Sequence, residues 1–65
     1  MFQLEIETGN AAFHDEMTGE KDDFAEAVEV TRILNEARSQ IREGRRSGSC
    51  IDINGNRVGS WSFDD

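Results

Sequence analysis

Phe2, Leu4 and Ile6 alternate with Gln3, Glu5 and Glu7 at the start of the chain. A period of two predicts a strand with one buried face. Thr8-Gly9-Asn10 then breaks the alternation with turn residues. Residues 11–20 read as a connecting loop from which Ala12, Phe13 and Met17 dip toward the core.

The period changes after Asp22. Ala27, Val30, Leu34, Ala37 and Ile41 recur at intervals of three and four, with Phe24 and Ile33 widening the stripe. This predicts a helix over 23–43, its core face centred on those residues. Glu29, Arg32, Glu36, Gln40 and Glu43 fall on the opposite face, and Val28 is the one apolar residue stranded among polar neighbours. Asp23 and Glu26 have the spacing of a capping box, and Gly44 suits the helix end. Arg38, Arg42, Arg45 and Arg46 stand where cations favour the negative end of the helix dipole.

Two further strand-like segments, Cys50–Ile53 and Arg57–Phe63, flank Asn54-Gly55. Asn-Gly predicts a two-residue type I′ turn, because that turn needs positive φ at both central positions. One strand, a returning helix and a hairpin give an α+β, β-α-β-β fold in a single domain spanning 1–65. If the third strand lies in the middle, every neighbouring pair is antiparallel. The predicted order is 1-3-2, with a right-handed crossover and the helix across one face.

A two-residue loop sets a parity problem. It pairs Ile53 with Asn56, Asp52 with Arg57 and Ile51 with Val58, so Ile51, Ile53 and Val58 face the helix. Trp61 and Phe63 then point to the other face. Either Gly59 marks a bulge that returns both aromatics to the core, or they form an apolar patch on the open sheet face.

Charge changes the picture of what the molecule can bind. Residues 1–30 hold nine carboxylates and Lys21, net −8; residues 31–65 hold five carboxylates and six arginines, net +1; the total is −7. Direct nucleic-acid binding needs a basic footprint and is disfavoured. Antiparallel self-association is favoured, since the acidic end of one copy can meet the arginine end of another. A chain of 65 residues has a small core. Cys50 is the only cysteine, which rules out an internal disulfide and suits a reducing compartment. Association is therefore the expected source of added stability, and a homodimer is expected. No leader or membrane-spanning pattern is visible, so the chain is expected to be complete and cytoplasmic.

Candidate chemistry is sparse. Asp52-Ile53-Asn54-Gly55-Asn56 has oxygen ligands, but a calcium-binding EF-hand loop needs glycine at its sixth position and glutamate at its twelfth. Here they are the fourth residue and Phe63. A hairpin turn with Asp52 facing Arg57 is preferred. Cys50 and His14 lack a third orienting group, so no catalytic residue, metal or cofactor is assigned. Asp15, Glu16, Glu20, Asp22, Asp23 and Glu26 form an acidic surface: a solvated helix start, or a mimic of phosphates.

Glu7-Thr-Gly-Asn-Ala-Ala-Phe13, the Val30–Ile41 helix pattern and Asp52-x-Asn-Gly-Asn-Arg-Val-Gly-x-Trp61 resemble small uncharacterised proteins of bacteriophages, prophages and other mobile elements. The resemblance covers most of the chain and carries no assigned activity. It implies an accessory protein made in the bacterial host cytoplasm. The expected function is a non-enzymatic, homodimeric protein-binding module, with a contact surface of Gln3, Glu5, Arg57, Trp61, Phe63 and Val28. The alternative is an anti-CRISPR-like nucleic-acid mimic that inhibits a host defence or DNA/RNA-binding complex.

Overall fold

The computed structural model describes residues 1–14 and 22–64. The elements run β1 (Phe2–Ile6), a 3₁₀ turn (Ala11–Phe13), α1 (Asp23–Arg42), β2 (Ser47–Ile51) and β3 (Arg57–Phe63). The sheet is antiparallel in the order β1-β3-β2. The fold is therefore the predicted three-stranded α+β arrangement.

α1 begins one residue earlier than the capping-box spacing suggests. Asp22 is the N-cap, and its side chain accepts from the Phe24 and Ala25 N–H groups at 2.8 and 3.4 Å. At the other end Gly44 takes φ +97°. Its N–H donates to the Ile41 carbonyl while Arg45 N–H donates to Gln40, the paired bonds of a Schellman motif. Glycine is favoured there because a Cβ destabilises the left-handed region.

The helix is rotated from the expected orientation. Its buried residues are Glu29, Ile33 and Ala37, with Val30 and Ile41 packed partly against the core. Phe24, Ala27 and Leu34, expected inside, are exposed. Two polar side chains displace them. Glu29 is buried, and Gln40 Oε1 accepts from the Trp61 indole N–H at 3.2 Å. A helix whose core face carries two hydrogen-bonded polar residues no longer has its apolar residues centred on that face.

The hairpin also departs from expectation. Gly55 N–H donates to the Asp52 carbonyl at 3.0 Å, and Asp52 N–H donates to the Asn56 carbonyl at 2.8 Å. The loop therefore holds three residues, Ile53, Asn54 and Gly55. Only Gly55 has positive φ, +87°. This is the pattern of a type I turn followed by a left-handed residue, not a type I′ turn. Parity follows from it. Cys50 and Asp52 point inward and are buried, whereas Ile51 and Ile53 point outward and are exposed.

A bulge then restores the aromatics to the core. Cys50 pairs with Gly59 but Ile51 pairs with Arg57, leaving Val58 as the extra residue. The bulge sits one position before Gly59, and Val58 itself is buried. Beyond it, Trp61 lies between Leu4 and Gly48, and Phe63 lies beside Phe2. Trp61 is 2% exposed. It forms the core with Phe13, Ile33, Ala37, Cys50 and Val58. Of the two alternatives the bulge holds: Trp61 and Phe63 form no patch on the open sheet face, and one chain encloses its own indole. Of the loop residues expected to dip inward, Phe13 is buried and Ala12 half-buried; Met17 lies outside the described residues.

Glycines mark two close approaches. A Cβ at Gly48 would stand 2.7 Å from both Trp61 Nε1 and Gln40 Oε1, and one at Gly59 would overlap the Glu5 carbonyl of β1. The second clash is with backbone and cannot relax by a side-chain rotation. Gly59→Ala is expected to destabilise the fold by about 3 kcal/mol. Gly55→Ala, with open space around it but a left-handed φ, is expected to cost about 1 kcal/mol. Urea denaturation followed by circular dichroism distinguishes the two, and equal costs would contradict the β1–β3 register.

Candidate functional site

The densest polar constellation starts from Asp52, a carboxylate only 3% exposed. An unpaired buried carboxylate is strongly unfavourable, so its oxygens must find donors. Oδ1 accepts from Asn54 N–H at 2.9 Å and Asn56 N–H at 2.8 Å. Oδ2 accepts from the Asn56 side-chain amide at 3.2 Å and the Asn10 amide at 2.8 Å. Asn10 in turn caps the 3₁₀ turn, its Oδ1 accepting from Ala12 N–H at 2.9 Å. Burial pushes the Asp52 carboxyl pKa up. The Asn56, Asn10 and Asn54 hydrogen bonds outweigh it and hold the group below its ordinary value. Asp52 thus binds its own hairpin turn and the distant β1-to-helix connection. It does not face Arg57 in a cross-strand pair as expected. Both oxygens are directed at N–H donors, a geometry that suits structural anchoring.

A second buried carboxylate docks the helix onto the same turn. Glu29 accepts from Arg32 Nε at 2.6 Å and Nη2 at 3.2 Å. It also accepts from Ile53 N–H at 2.8 Å. Arg32 donates further to the Ile51 carbonyl at 2.8 Å and to Glu36 at 3.0 Å. The Arg32 hydrogen bonds lower the Glu29 pKa against the opposing effect of burial, with Ile53 N–H helping and Asp52 opposing. Glu29 and Arg32 were expected on the solvent side of α1. They face the β2–β3 turn instead, because Ile53 N–H and the Ile51 carbonyl offer them partners there.

No nucleophilic pair emerges. Cys50 is buried, and burial raises its thiol pKa, with only partial opposition from Arg57. No hydrogen bond joins it to His14 among the described residues. Among those residues no group of three or more His, Cys, Asp or Glu side chains could hold a metal ion. No helix among them is long and apolar enough to cross a membrane.

The expected contact residues divide between faces. Gln3, Glu5 and Arg57 are exposed. Gln3 and Glu5 lie on the open sheet face, in rows with Ser62 and Ser47 and with Ser60 and Ser49, so that face is largely polar, with Ile51 its exposed apolar strand residue. Trp61 and Phe63 are on the helix side. Phe63 packs on Phe2 at 4.9 Å between ring centroids, with the Arg46 guanidinium 4.3 Å from its ring centre. They are corrected from open-face contacts to core and core-margin residues. Val28 is 55% exposed, as expected, but it is not alone. Phe24 at 77% and Leu34 at 45% share the outward side of α1, with Ala27 and Thr31 also exposed. Thr31 Oγ1 donates to the Ala27 carbonyl at 2.8 Å, which satisfies the hydroxyl locally. Of the acidic surface, Asp22 caps the helix, Asp23 is exposed and Glu26 half-buried; Asp15, Glu16 and Glu20 lie outside the described residues.

Sequence reasoning missed the Asp52–Asn10 and Glu29–Ile53 connections and the outward stripe. The first had a signal. Asp followed by residues two and four ahead with free N–H groups is Asx-turn chemistry, and Asp52-x-Asn54-Gly55-Asn56 has that spacing. Comparison with protein-family models, curated proteins and solved structures gives no match for this chain.

Both buried carboxylates have depressed pKa values, so each contributes stability that is present above the ordinary carboxylate range and lost as pH falls through the folded-state value. Thermal stability is expected to fall steeply below about pH 4. Asp52→Asn is expected to blunt that acid limb and to lower the melting temperature at neutral pH by roughly 10 °C or more. Calorimetry across pH 2–7 checks both, and an unchanged acid limb in Asp52→Asn would contradict the assignment. Cys50 is expected to resist alkylation in the native protein and to react rapidly in denaturant. Mass spectrometry after timed iodoacetamide exposure reads the difference, and rapid native labelling would contradict the burial.

Proposed function

We propose that this chain is a small acidic, non-enzymatic protein-binding module of phage or mobile-element type, working in the bacterial host cytoplasm. The observation that carries the reading is the outward side of α1. Phe24, Ala27, Val28, Thr31 and Leu34 form a continuous stripe opposite Glu29, Ile33 and Ala37. Scattered exposed apolar residues are ordinary, but a contiguous stripe on an ordered helix is characteristic of contact surfaces. The open sheet face offers less: apart from Ile51, its serines, Gln3 and Glu5 supply little apolar area. The resemblance of the turn motif and helix pattern to mobile-element proteins supplies the biological setting.

One observation favours a second reading, the phosphate mimic. Seven of the nine carboxylates of residues 1–30 fall within residues 15–29, and Asp23 at the start of α1 is exposed. In this reading the carboxylates occupy a basic groove on a host nucleic-acid-binding protein.

Affinity capture from bacterial lysate with three bait proteins separates the readings. A Phe24→Ser, Val28→Ser, Leu34→Ser variant is expected to keep its fold and lose the captured partner. Neutralising Asp15, Glu16, Asp22 and Asp23 together is expected to leave capture intact. The reverse pattern selects the mimic, and capture by both variants as strong as by the unaltered chain rejects both surfaces.

A further inference from the structure

The outward stripe of α1 has an internal order that specifies its occupant. Phe24, Val28, Thr31, Asn35, Arg38 and Arg42 recur at alternating intervals of four and three, all on exposed positions. That spacing is the seam of a left-handed helix pair. Ala27 and Leu34 flank it, and the small side chains of Thr31 at its centre and Ala27 beside it permit close approach of a second helix. The Thr31 hydroxyl is already bonded to the Ala27 carbonyl, so covering it strands no donor.

Charge runs monotonically along the seam. Its N-terminal end carries Asp22 and Asp23, and its C-terminal end carries Arg38 and Arg42. Arg32 is engaged with Glu29 and Glu36, whereas Arg38 and Arg42 have no ion-pair partner among the described residues. We infer that a second copy of this chain packs antiparallel on this face, with Thr31 near the twofold axis. Phe24 of each copy then meets the aliphatic stem of Arg38 of the other, and Val28 meets Leu34. Asp22 and Asp23 lie beside the partner copy's Arg38 and Arg42. A parallel pair would place arginines against arginines and acids against acids, and like charges in register are unfavourable. The association rests on the reading of α1's outer side as a contact surface, for which a second copy and a host protein compete, and it replaces a dimer through the sheet face, which the burial of Trp61 removes.

Sedimentation equilibrium over a wide concentration range tests it on the whole chain. The unaltered protein is expected to rise from 7.3 kDa toward twice that mass. Val28→Glu places a charge beside the axis at an exposed site. It is expected to remain monomeric throughout, with the melting curve that the unaltered protein shows at monomeric concentrations; Phe24→Ser, at the seam's edge, is expected to give the same result and serves if Val28→Glu folds poorly. Orientation is read separately. Arg38→Asp is expected to weaken association roughly tenfold by reversing two equivalent exposed pairs. Asp23→Arg combined with Arg38→Asp in one chain restores it. A concentration-independent 7.3 kDa particle overturns the self-association. The contact-surface reading nonetheless stands if Val28→Glu still abolishes lysate capture. A dimer that survives both Val28→Glu and Phe24→Ser overturns the surface, and a double swap weaker than the single one overturns the antiparallel arrangement.

Discussion

The structure depends on one buried carboxylate. Asp52 sits where a strand residue of its parity would be apolar, and its two oxygens gather four donors from the turn and from Asn10. Removing such a group from water is unfavourable unless its lone pairs are used, and here two donors are backbone N–H groups of the turn and two are the side-chain amides of Asn56 and Asn10. The inward position of Asp52 fixes Cys50 and Gly48 as inward on β2. Those residues stand opposite Gly59 and Trp61. The Val58 bulge reconciles a three-residue turn with an inward indole, and the core closes without help from another chain.

Glu29 extends the same logic to the helix. By accepting from Ile53 N–H while paired with Arg32, it holds α1 at a rotation that its apolar residues alone would not choose. Gln40, bonded to Trp61, acts at the other end of the interface. Two polar contacts thus turn the helix, and the apolar residues they displace emerge on the outside. The exposed stripe and the buried acids are two consequences of one orientation. The contact surface proposed on α1 is thus a consequence of how the interior orients the helix.

What was legible in the sequence follows from the range of each interaction. Alternation at Phe2–Glu7, the three-and-four spacing of α1, and Gly44 and Gly55 at positive φ are local, and they placed the elements and the strand order. Orientation within elements was less legible. Hydrophobic periodicity assigned Leu34 inward and Glu29 outward because it counts side-chain polarity, and it carries no information about an N–H group supplied from 24 residues away. Asn-Gly indicated a turn but not its length, since the Asx geometry of Asp52 selects a three-residue loop over the two-residue one. The side of the sheet on which Trp61 lies therefore depends on the Val58 bulge, which the local pattern does not position. Of the outward stripe only Val28 stands out in the sequence, because periodicity places Phe24, Ala27 and Leu34 on the core face.

Amide hydrogen exchange at the β2–β3 turn tests the central role of the two carboxylates most directly. Ile53, Asn54 and Asn56 belong to an exposed turn, yet each donates its N–H to Glu29 or Asp52. Their amides are expected to exchange as slowly as those of the sheet, opening only with the global transition. Exchange at the rate of a free loop, with the sheet still protected, would contradict an architecture anchored at Asp52.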